Sequence, residues 1–276
     1  MSGSMRVGDC EVGAGRPLAV ICGPCMAESL ALCLEVGEAI KAACDELGLT
    51  YIFKASFDKA NRSSIHTPRG PGLERGVEIL AGCKERLGVP VTTDLHDPGQ
   101  AAPVAEVADL LQIPAFLCRQ TDLLAAAAST GRAVNAKKGQ FMSPGEMSNV
   151  VTKLRESGAD ERSVMLTERG TFFGYHRLVN DFIGVVDLME LGVPVCFDAT
   201  HSTQQPGGQG QASGGRPDRA AALACAAVSV GVSALFIETH PEPEKALSDG
   251  ASMLPLDQAL ALLPRLARLH EAVRSG

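Results

Sequence analysis

The chain has no tryptophan, only 2 tyrosines and 4% aromatic residues over 276 positions. That scarcity suggests a core filled by aliphatic side chains, and the 45% hydrophobic content falls mainly to Val, Ile, Leu and Ala. No apolar run approaches the roughly 20 residues that cross a bilayer, which speaks against a membrane partner. The opening Met-Ser-Gly-Ser-Met-Arg-Val-Gly-Asp lacks the apolar centre of a secretory signal. An excess of positive charge is missing too: the formal net charge is -7, so nucleic acid is not expected as a partner. The nine cysteines are odd in number and scattered, unlike the dense disulfide framework of a small secreted domain. A reducing cytoplasm is the expected compartment.

What is present is an unbroken alternation of short apolar runs and helical periods. Leu18 to Cys22, Tyr51 to Ala55, Val89 to Asp94, Asp109 to Pro114, Ala133 to Lys137, Val164 to Arg169, Pro194 to Ala199 and Ala234 to Glu238 read as strands. Helices are expected over Glu28 to Leu47, Leu73 to Leu87, Gln100 to Val107, Thr121 to Thr130, Ser143 to Ser157, Leu178 to Leu191, Pro217 to Val230 and Leu256 to Val273. Ser143-Pro-Gly-Glu146 carries an N-cap, a proline at the first position and a glutamate at the third. Eight strands, each followed by a helix, in a chain close to the usual barrel length of about 250 residues predict an α/β fold. The expected form is a closed TIM (β/α)8 barrel, one domain over residues 1–276, with the segment before Arg16 expected as a hairpin covering its bottom.

Barrel enzymes place their chemistry at the C-terminal ends of the strands. Those ends hold Cys25, Lys54, Asp94, Gln112, Lys137, Arg169, His201 and Glu238. Lys54, Lys59, Arg62, Arg119, Lys137, Lys138 and Arg169 supply fixed positive charge suited to phosphate and carboxylate groups. Cys25, His201, Glu238 and Asp249 offer a thiolate, an imidazole and two carboxylates, a mixture suited to Zn, Fe or Mn. Asp249 precedes Gly250 and reads equally well as an ordinary turn residue. The glycine-rich stretch from Gln204 to Arg216 is long and polar enough to act as a lid. Cys22-Gly-Pro-Cys25 also matches a thioredoxin-like disulfide exchanger. That reading is set aside because such domains are much shorter and leave the strand-end charges without a role. His66, His96, His176, His240 and His270 are left as structural or supporting groups.

Five segments carry a resemblance as well: Ile21 to Ser29, Phe53 to Ser64, Pro114 to Asp122, Phe197 to Ser202 and Glu238 to Pro243. Together they resemble the 3-deoxy-D-manno-octulosonate-8-phosphate synthases, from about Ala19 to Leu263. The resemblance implies a homotetrameric barrel enzyme that condenses phosphoenolpyruvate with arabinose 5-phosphate and water and releases phosphate. No organic cofactor is implied. It puts Lys54, Lys137, Arg169, Gln112 and Ala115 around phosphoenolpyruvate, and Lys59, Asn61, Arg62 and Ser63 around arabinose 5-phosphate. Arg119 would reach a sugar phosphate, Asp94 the reacting carbons, and His201 both metal and substrate phosphate. Asp94, Lys137 and His201 are the implied catalytic residues. The family has a metal-dependent branch with Cys at the position of Cys25 and a metal-independent branch with Asn there; this chain carries Cys. The alternative is the related 3-deoxy-D-arabino-heptulosonate-7-phosphate synthase, which uses erythrose 4-phosphate. Lys59-Ala-Asn-Arg-Ser63 favours the five-carbon sugar.

Overall fold

The protein is described by a computed structural model over residues 3–60, 66–206 and 214–275. An antiparallel hairpin leads, β1 (Ser4–Val7) against β2 (Cys10–Gly13). Its two-residue turn begins at Gly8, whose φ of 56° suits glycine in a tight hairpin. Seven parallel strands follow: β3 (Ala19–Gly23), β4 (Thr50–Lys54), β5 (Val91–Asp94), β6 (Leu110–Ile113), β7 (Ala133–Lys137), β8 (Val164–Glu168) and β9 (Val195–Asp198). The short pair β10 (Gln204–Gln205) and β11 (Gly214–Gly215) precedes β12 (Ala234–His240), which pairs with both β3 and β9 and closes an eight-stranded barrel. A two-residue strand, β13 (Leu254–Pro255), pairs in parallel with the last two residues of β12. A helix follows each barrel strand: α1 (Leu30–Leu47), α2 (Leu73–Leu87), α3 (Ala101–Ala105), α4 (Thr121–Ala128), α5 (Met147–Glu156), α6 (Phe182–Glu190), α7 (Ala220–Ser229) and α8 (Leu256–Ser275).

Local chemistry sets the helix ends. α1 begins after Ser29, whose hydroxyl accepts the Leu32 N–H, and stops at Gly48, where φ is 65°. α5 and α6 begin later than their sequence periods suggest. Before α5, Glu146 does reach back to the Ser143 N–H at 2.8 Å, yet Met147 N–H bonds Pro144 O, so a tighter turn takes the place of the first helical turn. Before α6, Val179 forms an isolated antiparallel bridge with Thr171, and Asp181 caps the helix through the Ile183 N–H.

The strands are apolar on both faces because one faces the helices and the other fills the barrel. At the bottom of the interior, Ile21, Ile52, Leu110, Met165, Cys196 and Phe236 pack with Met5, Val7 and Val12 of the hairpin. The hairpin is thus the floor of the barrel, which leaves the opposite end for polar groups. Met5→Ala is expected to lower the unfolding free energy by about 2–5 kcal/mol, the cost of emptying a packed apolar position. Denaturant unfolding reads this directly, and a loss well under ~1 kcal/mol would mark the hairpin as a loosely attached flap.

Candidate active site

The polar groups converge where the strands end. Lys54 closes β4, Asp94 closes β5, Lys137 closes β7 and Asp198 closes β9, while Cys25, Arg169 and His201 lie just past β3, β8 and β9. Glu238 lies within β12. A Cβ at Gly23 would stand 2.1 Å from the Lys54 carbonyl oxygen, so glycine there is what lets β3 close against β4. That is a structural reason for the Cys-Gly-Pro-Cys spacing. The two cysteines are free thiols, and burial, with the charges of Asp249 and Glu238, pushes the Cys25 thiol well up. A disulfide exchanger needs the opposite shift.

Cys25, Glu238 and Asp249 form a group whose potential ligand atoms all lie within 4.8 Å of one another, the one such group among the described residues. Cys25 Sγ stands 3.0 Å from Asp249 Oδ2 and 3.1 Å from Ser248 Oγ. Asp249 takes φ 51°, a left-handed conformation that aspartate tolerates better than most residues. It is therefore a turn residue and a member of the group at once. Three potentially anionic side chains this close repel one another, and that repulsion adds to burial in raising the Cys25 thiol. A divalent cation reverses it, since a coordinating thiol is deprotonated outright. Thiolate and carboxylate donors fit a transition metal better than magnesium or calcium. His201 lies beside the group, with Nε2 3.4 Å from Glu238 Oε2 and Nδ1 2.8 Å from Asp198 Oδ2.

Buried lysines face these acids. Lys54, 2% exposed, pairs its ammonium with Glu238 Oε1 and donates to Cys25 O at 3.2 Å. Lys59 Nζ is 3.9 Å from the same glutamate oxygen and 3.0 Å from Ser56 Oγ. Burial works against the Glu238 charge, but Lys54, His201, Lys59 and Lys137 override it and hold the carboxyl below its ordinary range. Lys137 Nζ bonds Asp198 at 2.6 Å and sits 3.5 Å above the Phe236 ring centre. Burial lowers the Lys137 ammonium and the Arg169 guanidinium alike. Arg169 Nη2 donates to Gln204 Oε1 at 2.6 Å. Arg169 Nη1, Asp94 Oδ1 and Gln112 Oε1 are buried without a hydrogen-bonding partner among the described residues, so these three expected site residues retain binding capacity.

Other expected residues stand apart. Asn61, Arg62 and Ser63 lie outside the described residues, as does most of the glycine-rich stretch, residues 207–213. Arg119 is exposed, on a turn whose carbonyl accepts from Lys153 Nζ at 3.1 Å, and Ala115 is buried in the 3-10 turn after β6. Lys138 is buried and used up. Its Nζ lies 3.3 Å from Glu168 and donates to Met142 O and Thr171 Oγ1, both at 3.1 Å. His96, read only as a supporting group, bonds Asp94 Oδ2 at 2.9 Å. The strand-end set passes over Asp198. The signal was there, because Asp198 ends the apolar run Val-Cys-Phe-Asp in the same way that Lys54 and Asp94 end theirs.

The family described as "DAHP synthetase I family" matches residues 4–275. Among curated relatives, the 2-dehydro-3-deoxyphosphooctonate aldolase of Cyanothece sp. is 54% identical over 265 residues, covering 96% of each chain. The protein of that name from Granulibacter bethesdensis is 52% identical over 272 residues, covering 99% of this chain and 96% of its own. That from Synechococcus sp. is 54% identical over 269 residues, covering 97% and 94%.

Proposed function

We infer that this chain, which belongs to the DAHP synthetase I family, condenses phosphoenolpyruvate with D-arabinose 5-phosphate and water. The products are 3-deoxy-D-manno-octulosonate 8-phosphate and inorganic phosphate, a transferase reaction that serves the inner-core sugar of lipopolysaccharide. The observation that carries this reading is the near full-length match, at 52–54% identity, to relatives named for the eight-carbon product rather than the seven-carbon one.

In the reaction, C3 of phosphoenolpyruvate attacks the sugar aldehyde, whose oxygen takes a proton and becomes a hydroxyl. Positive charge develops at C2, water adds there and loses a proton, and the resulting phosphorylated hemiketal breaks its carbon–oxygen bond to release phosphate. Lys54, Lys137 and Arg169 neutralise the phosphate and carboxylate of phosphoenolpyruvate, with Gln112 and the backbone at Ala115 completing its seat. Asp94, held by His96, stands at the reacting carbons to manage the proton of the attacking water. Lys59, Asn61, Arg62 and Ser63 hold arabinose 5-phosphate, and Arg119 reaches a sugar phosphate in a homotetramer. Alignment and fixed positive charge supply most of the rate. A divalent metal, Zn, Fe or Mn, on Cys25, Glu238 and Asp249 with His201 as a further donor would supply Lewis acidity toward the aldehyde or the water. The enzyme works in the cytoplasm.

Sugar choice tests the reading. With phosphoenolpyruvate present, arabinose 5-phosphate should support phosphate release roughly tenfold or more better in kcat/KM than erythrose 4-phosphate, because a site built to bond sugar hydroxyls rejects the analogue that lacks one. Equal turnover of the two sugars would overturn the assignment.

A further inference from the structure

Asp198 is fully buried, and a carboxylate removed from water must have its oxygens satisfied. Both are. Oδ2 accepts from Lys137 Nζ at 2.6 Å and lies 2.8 Å from His201 Nδ1. Oδ1 accepts from the His201 backbone N–H at 2.9 Å and from the Thr200 hydroxyl at 3.1 Å. The Thr200 oxygen in turn accepts the Glu238 backbone N–H at 3.2 Å. One side chain therefore ties the ends of β7, β9 and β12 together.

The direction of these bonds has a chemical consequence. An ionised carboxylate only accepts, and the lysine ammonium on the same oxygen only donates. The His201 nitrogen beside Oδ2 must then be the donor. In the neutral imidazole the proton sits on Nδ1, and the lone pair belongs to Nε2, which faces Glu238 Oε2 at 3.4 Å. A histidine held by a carboxylate on one nitrogen is oriented, and made more basic, for a metal on the other.

We propose that Asp198 is a positioning residue that fixes the His201 ring with Nδ1 protonated and Nε2 turned toward a metal bound by Cys25, Glu238 and Asp249. The proposal rests on the reading of that group as a metal site and of the chain as the synthase. Asp198 lies outside the group of potential ligand atoms, and the proposal assigns its effect on metal binding to the ring rather than to the Thr200 link with the Glu238 backbone.

Zinc affinity, measured by competition with a chromophoric chelator on the full chain, tests this in wild type, Asp198→Asn, His201→Ala and the double variant. Asp198→Asn should bind zinc roughly 10–100-fold more weakly, the usual cost of losing such a partner. The double variant should bind no more weakly than His201→Ala, since the carboxylate acts through a ring no longer present. Additive losses would overturn the proposal by showing that Asp198 supports the fold at large. Should Asp198→Asn fail to fold, nitrogen-15 imidazole spectra of zinc-loaded wild type decide: a proton on Nδ1 with zinc-bound Nε2 is expected, and a protonated Nε2 with bare Nδ1 overturns it. Phosphate release by wild type from phosphoenolpyruvate and arabinose 5-phosphate is measured alongside. Its absence would remove the functional reading while leaving the zinc and spectroscopic outcomes to stand on their own.

Discussion

Alanine at Cys25 is expected to weaken metal retention by roughly 100-fold or more and to take catalysis with it. Removing a partner that merely orients a ligand already costs about 10–100-fold, and Cys25 brings the one sulfur donor of the group. Asparagine at the same position separates the metal's role from the thiol's. It supplies no thiolate, yet it stands there in the metal-independent branch of the resembling synthases, where an amide can hydrogen-bond groups the metal would otherwise orient. Cys25→Asn should therefore retain measurable phosphate release in the presence of chelator, and Cys25→Ala much less. Equal activity of the two variants under chelation would mean that the amide substitutes for nothing and that the side chain at this position is structural.

Lys54→Ala should have the largest effect on stability. Lys54 is 2% exposed and its partner Glu238 1%, so alanine takes the nearest cation from a buried carboxylate and leaves it the more distant Lys59 at 3.9 Å and His201 at 3.4 Å. Breaking a buried pair from one side costs about 3–5 kcal/mol, whereas replacing both members by apolar residues is often neutral. Lys54→Met with Glu238→Leu should accordingly recover most of the loss in metal-free protein while binding neither metal nor phosphoenolpyruvate. The pH dependence follows from the folded state of Glu238, whose carboxyl lies below its ordinary range. A group lowered on folding contributes fully above its unfolded value, about 4.3, and loses that contribution as the pH falls below it. The gap between wild type and Lys54→Ala should therefore be widest near neutrality and narrow below about pH 4. A gap that stays constant through this window would place the destabilisation outside the ion pair.

The barrel was legible because its grammar is local. Short apolar runs, helical periods and stop signals such as Gly48 and Gly88, both left-handed at helix ends, repeat along the whole chain. Rules about strand ends then named Lys54, Asp94, Lys137 and Glu238 before any distance was known. Two kinds of information were out of reach. One is which of two neighbours enters the barrel: successive strand residues point to opposite sides, so Lys137 meets Asp198 inside while Lys138 turns to Glu168, Met142 and Thr171. The other is competition from tertiary contacts. The periodicity around Leu178 could not show that Val179 is bridged to Thr171 or that Asp181 caps the helix in its stead. For Asp198 the strand-end position was visible in the sequence, but the partners it holds, Lys137 and His201, were not.

On the proposed reading, a metal held at Cys25, Glu238 and Asp249 is required for carbon–carbon bond formation among the buried lysines beside it. That requirement is measured by stripping the protein of metal, restoring zinc or manganese in steps, and plotting phosphate release from phosphoenolpyruvate and arabinose 5-phosphate against metal bound per chain. Negligible release is expected from the stripped protein, with a rise proportional to bound metal that stops when the one site is filled. Full release from protein shown to contain no metal would contradict it.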